Sequence, residues 1–356
     1  MTSIPEPVPW KRTGRTLGSG GQSSVYEVET TVPSRFPAGK YAMKELKNVR
    51  SYEAKQRFLR EIEAVKKIDD PRIVKVIDHH NKEDDTFLYY VMPYDEDFIS
   101  LEKLIFSPDS DFRANAKSCL AFIAECAEAL HKVHEHENKI VHRDLNPANI
   151  LCNTKTQEPL IIDFGCCQIE GDHTITLVDE GVGTPNYMAP ECEVGAAVEI
   201  TSKSDIYSLG KILWSMVTGY NTFARESPGF TTKNLTKQFP NNPDCWHLTR
   251  IFQKTIRRSP KDRYENAKKL AEDCQLVIYL IDHYPPLERV MRFCPACGQG
   301  ELMPKERRES PVPMHMIFGN PMPEGCVGLH CPVCGYLSAW DIRVLKKREQ
   351  ELKTME

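Results

Sequence analysis

The chain has 356 residues, 40% hydrophobic and 27% charged, with a formal net charge of -4, enough for two packed units and a small appendage. That charge balance excludes a whole-chain basic footprint for nucleic acid, and no run of about 18 apolar residues offers a membrane span. The opening MTSIPEPVPWKR carries prolines and no apolar core, unlike a signal peptide. Of the 13 cysteines, nine are scattered singly or in one pair. They read as free thiols, so a reducing cytoplasm is expected.

In chain order, the first 95 residues alternate short β-like runs, such as Tyr41–Glu45 and Phe87–Tyr94, with one helical stretch, Ser51–Ile68. Its apolar positions Phe58, Ile62, Val65 and Ile68 recur at spacings of three and four, the period of a helix with one buried face. From Leu101 to about His283 the periodic stretches are mainly helical, among them Ala116–His134, Asp205–Thr218 and Trp246–Ile256. Tyr284-Pro285-Pro286 breaks the pattern. The tail carries two CPxCG units and closes on a charged, helix-like segment, Val344–Lys353. A small sheet with one helix, a larger helical unit and a short metal-binding tail are therefore predicted.

The segment LGSGGQSSVY places Gly18, Gly20 and Gly21 between two extended runs, where small residues let backbone N–H groups approach phosphate oxygens. Alone it is as consistent with an ordinary hairpin. Lys44 in YAMKEL and Glu61 in FLREIEAV would, taken singly, be solvent-facing charges; together they could pair and aim a lysine at phosphates. Next come His142-Arg143-Asp144, Asn149, Asp163-Phe164-Gly165 and Ala189-Pro190-Glu191. With these motifs in this order, the chain resembles the eukaryotic-type (Hanks) Ser/Thr protein kinases over roughly residues 12 to 280.

The resemblance implies an α+β, bilobal kinase fold over 12–283, with a small β-rich lobe to about 94 and a larger helical lobe from about 95. It implies ATP and Mg²⁺. Asp144 would accept the hydroxyl proton, Asn149 and Asp163 would hold Mg²⁺, and Lys44, paired with Glu61, would hold the α- and β-phosphates. Gly18, Gly20 and Val25 would line the nucleotide. The adenine would dock after Met92, on the Pro93 carbonyl and the Asp95 N–H. Asp205 in KSDIYSLG would anchor the catalytic loop, and Glu191 with Arg263 would form a buried ion pair under the substrate platform. Thr184 in GTPNYMAPE implies Ser/Thr rather than Tyr specificity on a protein substrate. Arg143 ahead of Asp144 implies a regulatory phosphate on the activation segment, for which Thr174 and Thr176 are candidates; both read equally well as ordinary loop threonines. Cys166 and Cys167, directly after the DFG motif, read as buried free thiols, with redox sensitivity as the alternative.

Three positions depart from the family pattern. Ser23 replaces the third glycine of the loop, a small-for-small change. Ala148 replaces a glutamate that many relatives use to read basic substrates, which puts that preference in doubt. Asn146 replaces the lysine that contacts the γ-phosphate, and it brings a hydrogen-bond donor with no charge and a shorter reach. Slower transfer is expected. Two functions stay open: an active Ser/Thr protein kinase, favoured by Lys44, Glu61, Asp144, Asn149 and Asp163, and a noncatalytic ATP-binding scaffold, favoured by Asn146.

In the tail, FCPACGQG and LHCPVCGY present Cys294, Cys297, Cys331 and Cys334. Two CxxC turns, each followed by glycine, supply four thiolates for one tetrahedral Zn²⁺. The segment 290–340 resembles a zinc ribbon, with the charged helix at 341–356. A redox CxxC is the alternative, and the duplication of the motif favours structural zinc. Recruitment of a protein partner or substrate is the expected role. The mixed charges of PKERRES and RVLKKREQELK give little support to nucleic acid.

Overall fold

The computed structural model describes residues 9–66, 68–80, 87–137, 139–167, 186–192, 199–220, 222, 235, 238–239, 242, 244–283, 303–305, 326–330 and 337–341. The N-terminal unit is a five-stranded antiparallel sheet in the order β1-β2-β3-β5-β4. Its strands are β1 (Trp10–Ser19), β2 (Ser23–Thr30), β3 (Lys40–Leu46), β4 (Asp78–His80) and β5 (Tyr89–Pro93). Period-two alternation gives the sheet two apolar faces. One buries Trp10, Val28, Phe36, Met43, Tyr89 and Val91. The other buries Leu46, Leu88 and Tyr90 against Ala54, Phe58 and Ile62 of helix α1 (Tyr52–Lys66).

Helix α1 follows Ser51, whose hydroxyl accepts from the Ala54 N–H at 3.2 Å and donates to Glu53 at 3.1 Å, satisfying one donor of the first turn. The 3.6-residue period carries Phe58, Glu61, Ile62 and Val65 to the buried side. Glu61 thus sits on the apolar face, where a carboxylate is stable only with a partner.

The connection from α1 back to the sheet is pinned to the helical unit. Ile73 bridges Ile161 in parallel, with Val74 N–H to Ile161 O at 2.9 Å and Ile161 N–H to Arg72 O at 2.8 Å. The Asp70 carboxylate accepts from Arg72 at 3.0 Å and pairs with Lys132 Nζ at 2.8 Å, and Arg72 reaches Glu128 at 3.1 Å. Lys132 and Glu128 belong to helix α3 (Ala116–His134), so the base of α1 is held by the second unit.

That second unit begins with β6 (Phe98–Ser100) and α2 (Leu101–Ile105). Strands β7 (Ile150–Asn153) and β8 (Pro159–Ile161) complete a small antiparallel sheet with β6. Helix α3, capped by Asn115, which accepts from Ser118 N–H at 3.2 Å, packs with α4 (Lys203–Thr218), α5 (Asp244–Thr255) and α6 (Ala267–His283). Every residue of α4 from Ser204 to Thr218 is buried, as expected of a helix surrounded by others. A Cβ at Gly210 would lie 2.2 Å from the Thr255 hydroxyl, so glycine there permits the close approach of α4 and α5. Gly219 ends α4 in the left-handed region, φ +69°, with its N–H on Ser215 O at 2.8 Å.

The tail contributes β9 (Met303–Lys305), β10 (Cys326–His330) and β11 (Leu337–Asp341), an antiparallel sheet with β10 in the centre. Cys294, Cys297, Cys331 and Cys334, the segment Val344–Lys353, and Thr174, Thr176 and Thr184 lie outside the described residues. No helix among the described residues is long and apolar enough to cross a membrane.

Candidate active site

One row of the N-terminal sheet carries the first half of the site. Gly18 opposes Val25, Val25 opposes Lys44, and Lys44 opposes Tyr90. Residues directly opposed in antiparallel strands project to one face, so Lys44 and Tyr90 meet α1 on the same side. Lys44 Nζ donates to Glu61 Oε1 at 2.6 Å and Oε2 at 2.8 Å, and to Asp163 Oδ1 at 3.1 Å. The Tyr90 hydroxyl donates to Glu61 Oε1 at 2.8 Å. Burial alone would pull the lysine's pKa down, but Asp163 and Glu61 outweigh it and hold the ammonium well above its usual range. Burial raises the Glu61 carboxyl, against the pull of Lys44 and the Tyr90 hydrogen bond; the bidentate contact fixes the pair, with almost none of the Glu61 side chain reaching solvent.

Asp163 is held in an unusual backbone state, φ +63°. Its Oδ1 also accepts from Gly165 N–H at 3.3 Å, and a Cβ at Gly165 would press on that oxygen from 3.1 Å. Burial raises the Asp163 carboxyl, but the Lys44 charge and hydrogen bond prevail and keep it below the ordinary carboxylate range. Its side chain keeps 44% of its surface open to the cleft, which leaves the remaining oxygen available to a cation. Between Asp163 and Gly165, Phe164 is fully buried and its ring lies 4.6 Å from that of His142.

The second half of the site is the loop Val141–Leu151, which runs into β7. Its anchor is Asp205 in the first turn of α4, fully buried. The Asp205 carboxylate accepts from His142 N–H at 2.9 Å and Arg143 N–H at 2.9 Å, and pairs with His134 Nε2 at 2.8 Å. Burial pushes Asp205 up, and the hydrogen bond and charge of His134 pull it below its usual value. Arg143 takes φ +70°, a state that costs on the order of 1–3 kcal/mol for a non-glycine residue. The charge-assisted bond to its N–H offsets that strain. Among the described residues the buried Arg143 Nε has no hydrogen-bond partner.

Asp144 lies within reach of two amides. Asn149 Nδ2 donates to Asp144 O at 2.8 Å and Oδ2 at 3.2 Å, and Asn146 Nδ2 donates to Asp144 O at 3.1 Å and Oδ1 at 3.3 Å. Burial raises the Asp144 carboxyl, and Asp163 adds to the effect while His142 opposes it. Because Asn149 spends its N–H groups on Asp144, its amide oxygen is free to ligate a cation. With Asp163 it makes a set of hard oxygens that fits Mg²⁺.

The predicted nucleotide residues frame the cleft between these halves. Ala42, two residues from Lys44 on the same face, opposes Met92, and Pro93 closes β5 opposite Tyr41. Met92 packs against the cores of both units. The Asp95 carboxylate accepts from Asp97 N–H at 2.9 Å and its carbonyl from Phe98 N–H at 3.2 Å. Beneath the cleft, Glu191 and Arg263 meet in a bidentate pair at 2.5 and 2.8 Å, with side chains 1% and 0% exposed. Cys167 is buried and Cys166 half-buried; burial drives both thiols up to about 12, so neither is a ready thiolate.

The structure brings Lys44, Glu61, Asp163, Asp144 and Asn149 together. It adds Tyr90, His134 and Ser204, the last donating to Glu191 Oε1 at 2.8 Å. Sequence carried no signal for these three, since a strand tyrosine, a helix-end histidine and a helix-start serine are ordinary where they stand.

The protein kinase domain family matches residues 12–289. The serine/threonine-protein kinase PrkC of Bacillus subtilis is 31% identical over 265 residues, which is 73% of this chain and 39% of PrkC. PknB of Mycobacterium tuberculosis is 29% identical over 270 residues, 73% of this chain and 41% of PknB. The chain therefore spans about two-fifths of the length of these curated relatives. The crystal structure of the kinase domain of Mycobacterium tuberculosis PknI superposes with a TM-score of 0.57 at 23% identity, covering 78% of this chain and 99% of that domain. The β-rich unit and the helical unit are the two lobes of a kinase fold, and the chain belongs to the protein kinase domain family.

Proposed function

We propose that the chain is a Ser/Thr protein kinase that transfers the γ-phosphoryl group of ATP to a protein hydroxyl. The observation that carries this reading is the closed set of contacts from Glu61 through Lys44 to Asp163, facing an Asp144 held by two amides. A loose phosphoryl-transfer transition state asks the protein chiefly for positioning and charge. Lys44, fixed by Glu61, would hold the α- and β-phosphates. Asp144, its carboxyl raised by burial, would orient the acceptor hydroxyl and take its proton. Asn149 and Asp163 would hold Mg²⁺, which supplies charge neutralisation at the phosphates when bound. Gly18, Gly20, Val25, Met92, Pro93 and Asp95 would seat the nucleotide. A noncatalytic scaffold has less support, because it would not need this set intact.

Regulation follows the same logic. The Nε of Arg143, which has no hydrogen-bond partner among the described residues, supports a role in receiving a phosphate on the activation segment, with Thr174 or Thr176 as the autophosphorylation site, and Thr184 would confer Ser/Thr preference. Phosphosite mapping after incubation with Mg²⁺-ATP tests both statements: phosphate on Ser or Thr, including 174 or 176, is expected. Phosphotyrosine alone would refute the specificity.

For the tail, a zinc ribbon over 290–340 is the reading best supported. β10 and β11 pair in a register that sets His330 opposite Leu337, and the pair Cys331 and Cys334 lies in sequence between these two strands. The other CxxC precedes β9, which pairs on the far edge of β10. Four cysteine thiolates suit tetrahedral Zn²⁺, and the ribbon would recruit a protein partner or substrate. Elemental analysis of the purified chain should find one zinc, lost in a Cys294→Ser, Cys297→Ser variant. Zinc retained by that variant would refute the assignment. The free thiols at Cys119, Cys126, Cys152, Cys192, Cys245 and Cys274 support a reducing, cytoplasmic location.

A further inference from the structure

Asn146 is 5% exposed and uses both ends of its amide. The carbonyl oxygen accepts from Ala148 N–H at 2.9 Å, capping the 3₁₀ turn Pro147–Asn149. The amide nitrogen donates to Asp144 O at 3.1 Å and Asp144 Oδ1 at 3.3 Å. The two contacts fix the orientation of the amide. Flipped, it would set an oxygen against a carboxylate and an NH₂ against an N–H, losing every bond at once. At the other end of the turn, Asn149 donates to Asp144 O and Oδ2. The Asp144 carboxylate is therefore held by one amide at each oxygen.

We propose that Asn146 is a positioning residue for the Asp144 carboxylate: it secures Oδ1 while Asn149 secures Oδ2, and the turn it caps sets the two amides at the required spacing. The role rests on the kinase reading. A lysine at this position would combine orientation with charge; the neutral amide keeps the first and omits the second. Arg143 is the only Lys or Arg in the loop 141–151, so no nearby cation of this loop replaces the missing one. A residue that orients Asp144 without touching phosphate should act on turnover and leave nucleotide affinity alone. A residue that bonds the γ-phosphate should act on both.

The cap and the clamp can be separated. Asn146→Asp keeps an oxygen for the Ala148 N–H but replaces the donor with a negative charge beside Asp144. Asn146→Ala removes both contacts. Asn146→Lys loses the cap and restores a donor. The experiment measures transfer from Mg²⁺-ATP, by the full chain, into itself and into dephosphorylated casein, across ATP concentrations, with thermal melting of each variant. Asn146→Ala and Asn146→Asp should lower kcat about 10- to 100-fold, as misplacement of a reacting group does. KM for ATP should stay within about twofold in each variant, Asn146→Asp should melt somewhat lower because its buried carboxylate faces that of Asp144, and Asn146→Lys should retain turnover within about threefold of wild type. Full turnover in Asn146→Asp would overturn the proposal, as would losses that follow melting temperature or KM in all three variants. If the wild type itself binds ATP but transfers nothing, the kinase reading fails and the positioning role falls with it. An active wild type with Asn146→Ala and Asn146→Asp equally active refutes the positioning role alone.

Discussion

Arg263→Ala should be among the most destabilising single changes in the chain. The guanidinium makes two bonds to Glu191, at 2.5 and 2.8 Å, and donates to the carbonyls of Lys203 at 2.9 Å, Arg257 at 2.8 Å and Arg258 at 3.2 Å. Truncation leaves a carboxylate that is 1% exposed with Ser204 as its remaining side-chain donor among the described residues, and it strips three carbonyls. Breaking one side of a buried pair costs about 3–5 kcal/mol, a large part of a total stability of about 5–15 kcal/mol. At roughly 2–4 °C per kcal/mol for a domain of this size, the melting temperature should fall by about 6–20 °C. Urea denaturation of the wild type, Arg263→Ala, Glu191→Ala and the double variant would measure it. Because the residues share one interaction, the double loss should be well below the sum of the single losses. A loss under about 1 kcal/mol for Arg263→Ala, or strict additivity, would refute the reasoning from burial and pairing.

Lys44→Met should bind ATP more weakly and lower turnover by about 10²-fold or more, because it removes the phosphate-facing charge. Glu61→Gln should lower turnover less, since Asp163 still contacts the lysine at 3.1 Å; steady-state kinetics on the two variants gives the order. Asp70 is the acid-sensitive link between the connection after α1 and helix α3. Burial raises its carboxyl, but the bonds from Arg72 and Lys132 overcome this and hold it well below the usual carboxylate range. A carboxyl whose folded pKa is depressed stabilises the fold above its unfolded value, near 3.9, and loses that contribution as pH falls toward the folded value. Asp70→Asn should therefore cost stability at pH 7, with the gap to wild type narrowing below about pH 4. Melting curves from pH 7 to pH 3 would show it, and a constant gap would contradict it.

The parts of the fold that follow from local periodicity were legible in the sequence. Helix α3 runs from Ala116 to His134 and α1 from Tyr52 to Lys66, where the apolar spacing placed them, because one buried face imposes a 3.6-residue repeat. The short strands β6, β7 and β8 were not legible, since three or four residues cannot display a period. The site shows the same division. Lys44 and Glu61 could be paired through the family pattern, whereas the Tyr90 bond to Glu61 depends on the register that sets Tyr90 opposite Lys44. The anchoring of α1 by Asp70, Arg72, Lys132 and Glu128 joins positions up to 62 residues apart, a tertiary fact with no local trace. Asn146 read as a deficit in charge. Its orientation toward Asp144 depends on the cap at Ala148, which only the folded turn reveals.

The most direct test of a working kinase is the rate of γ-phosphate transfer from Mg²⁺-ATP by the purified full chain, set beside Asp144→Asn with ATP binding measured on both. Incorporation by the wild type, reduced at least about 10³-fold in Asp144→Asn with ATP affinity retained, is the predicted result for loss of the proton acceptor. ATP binding without incorporation in either protein would contradict it and leave a nucleotide-binding scaffold.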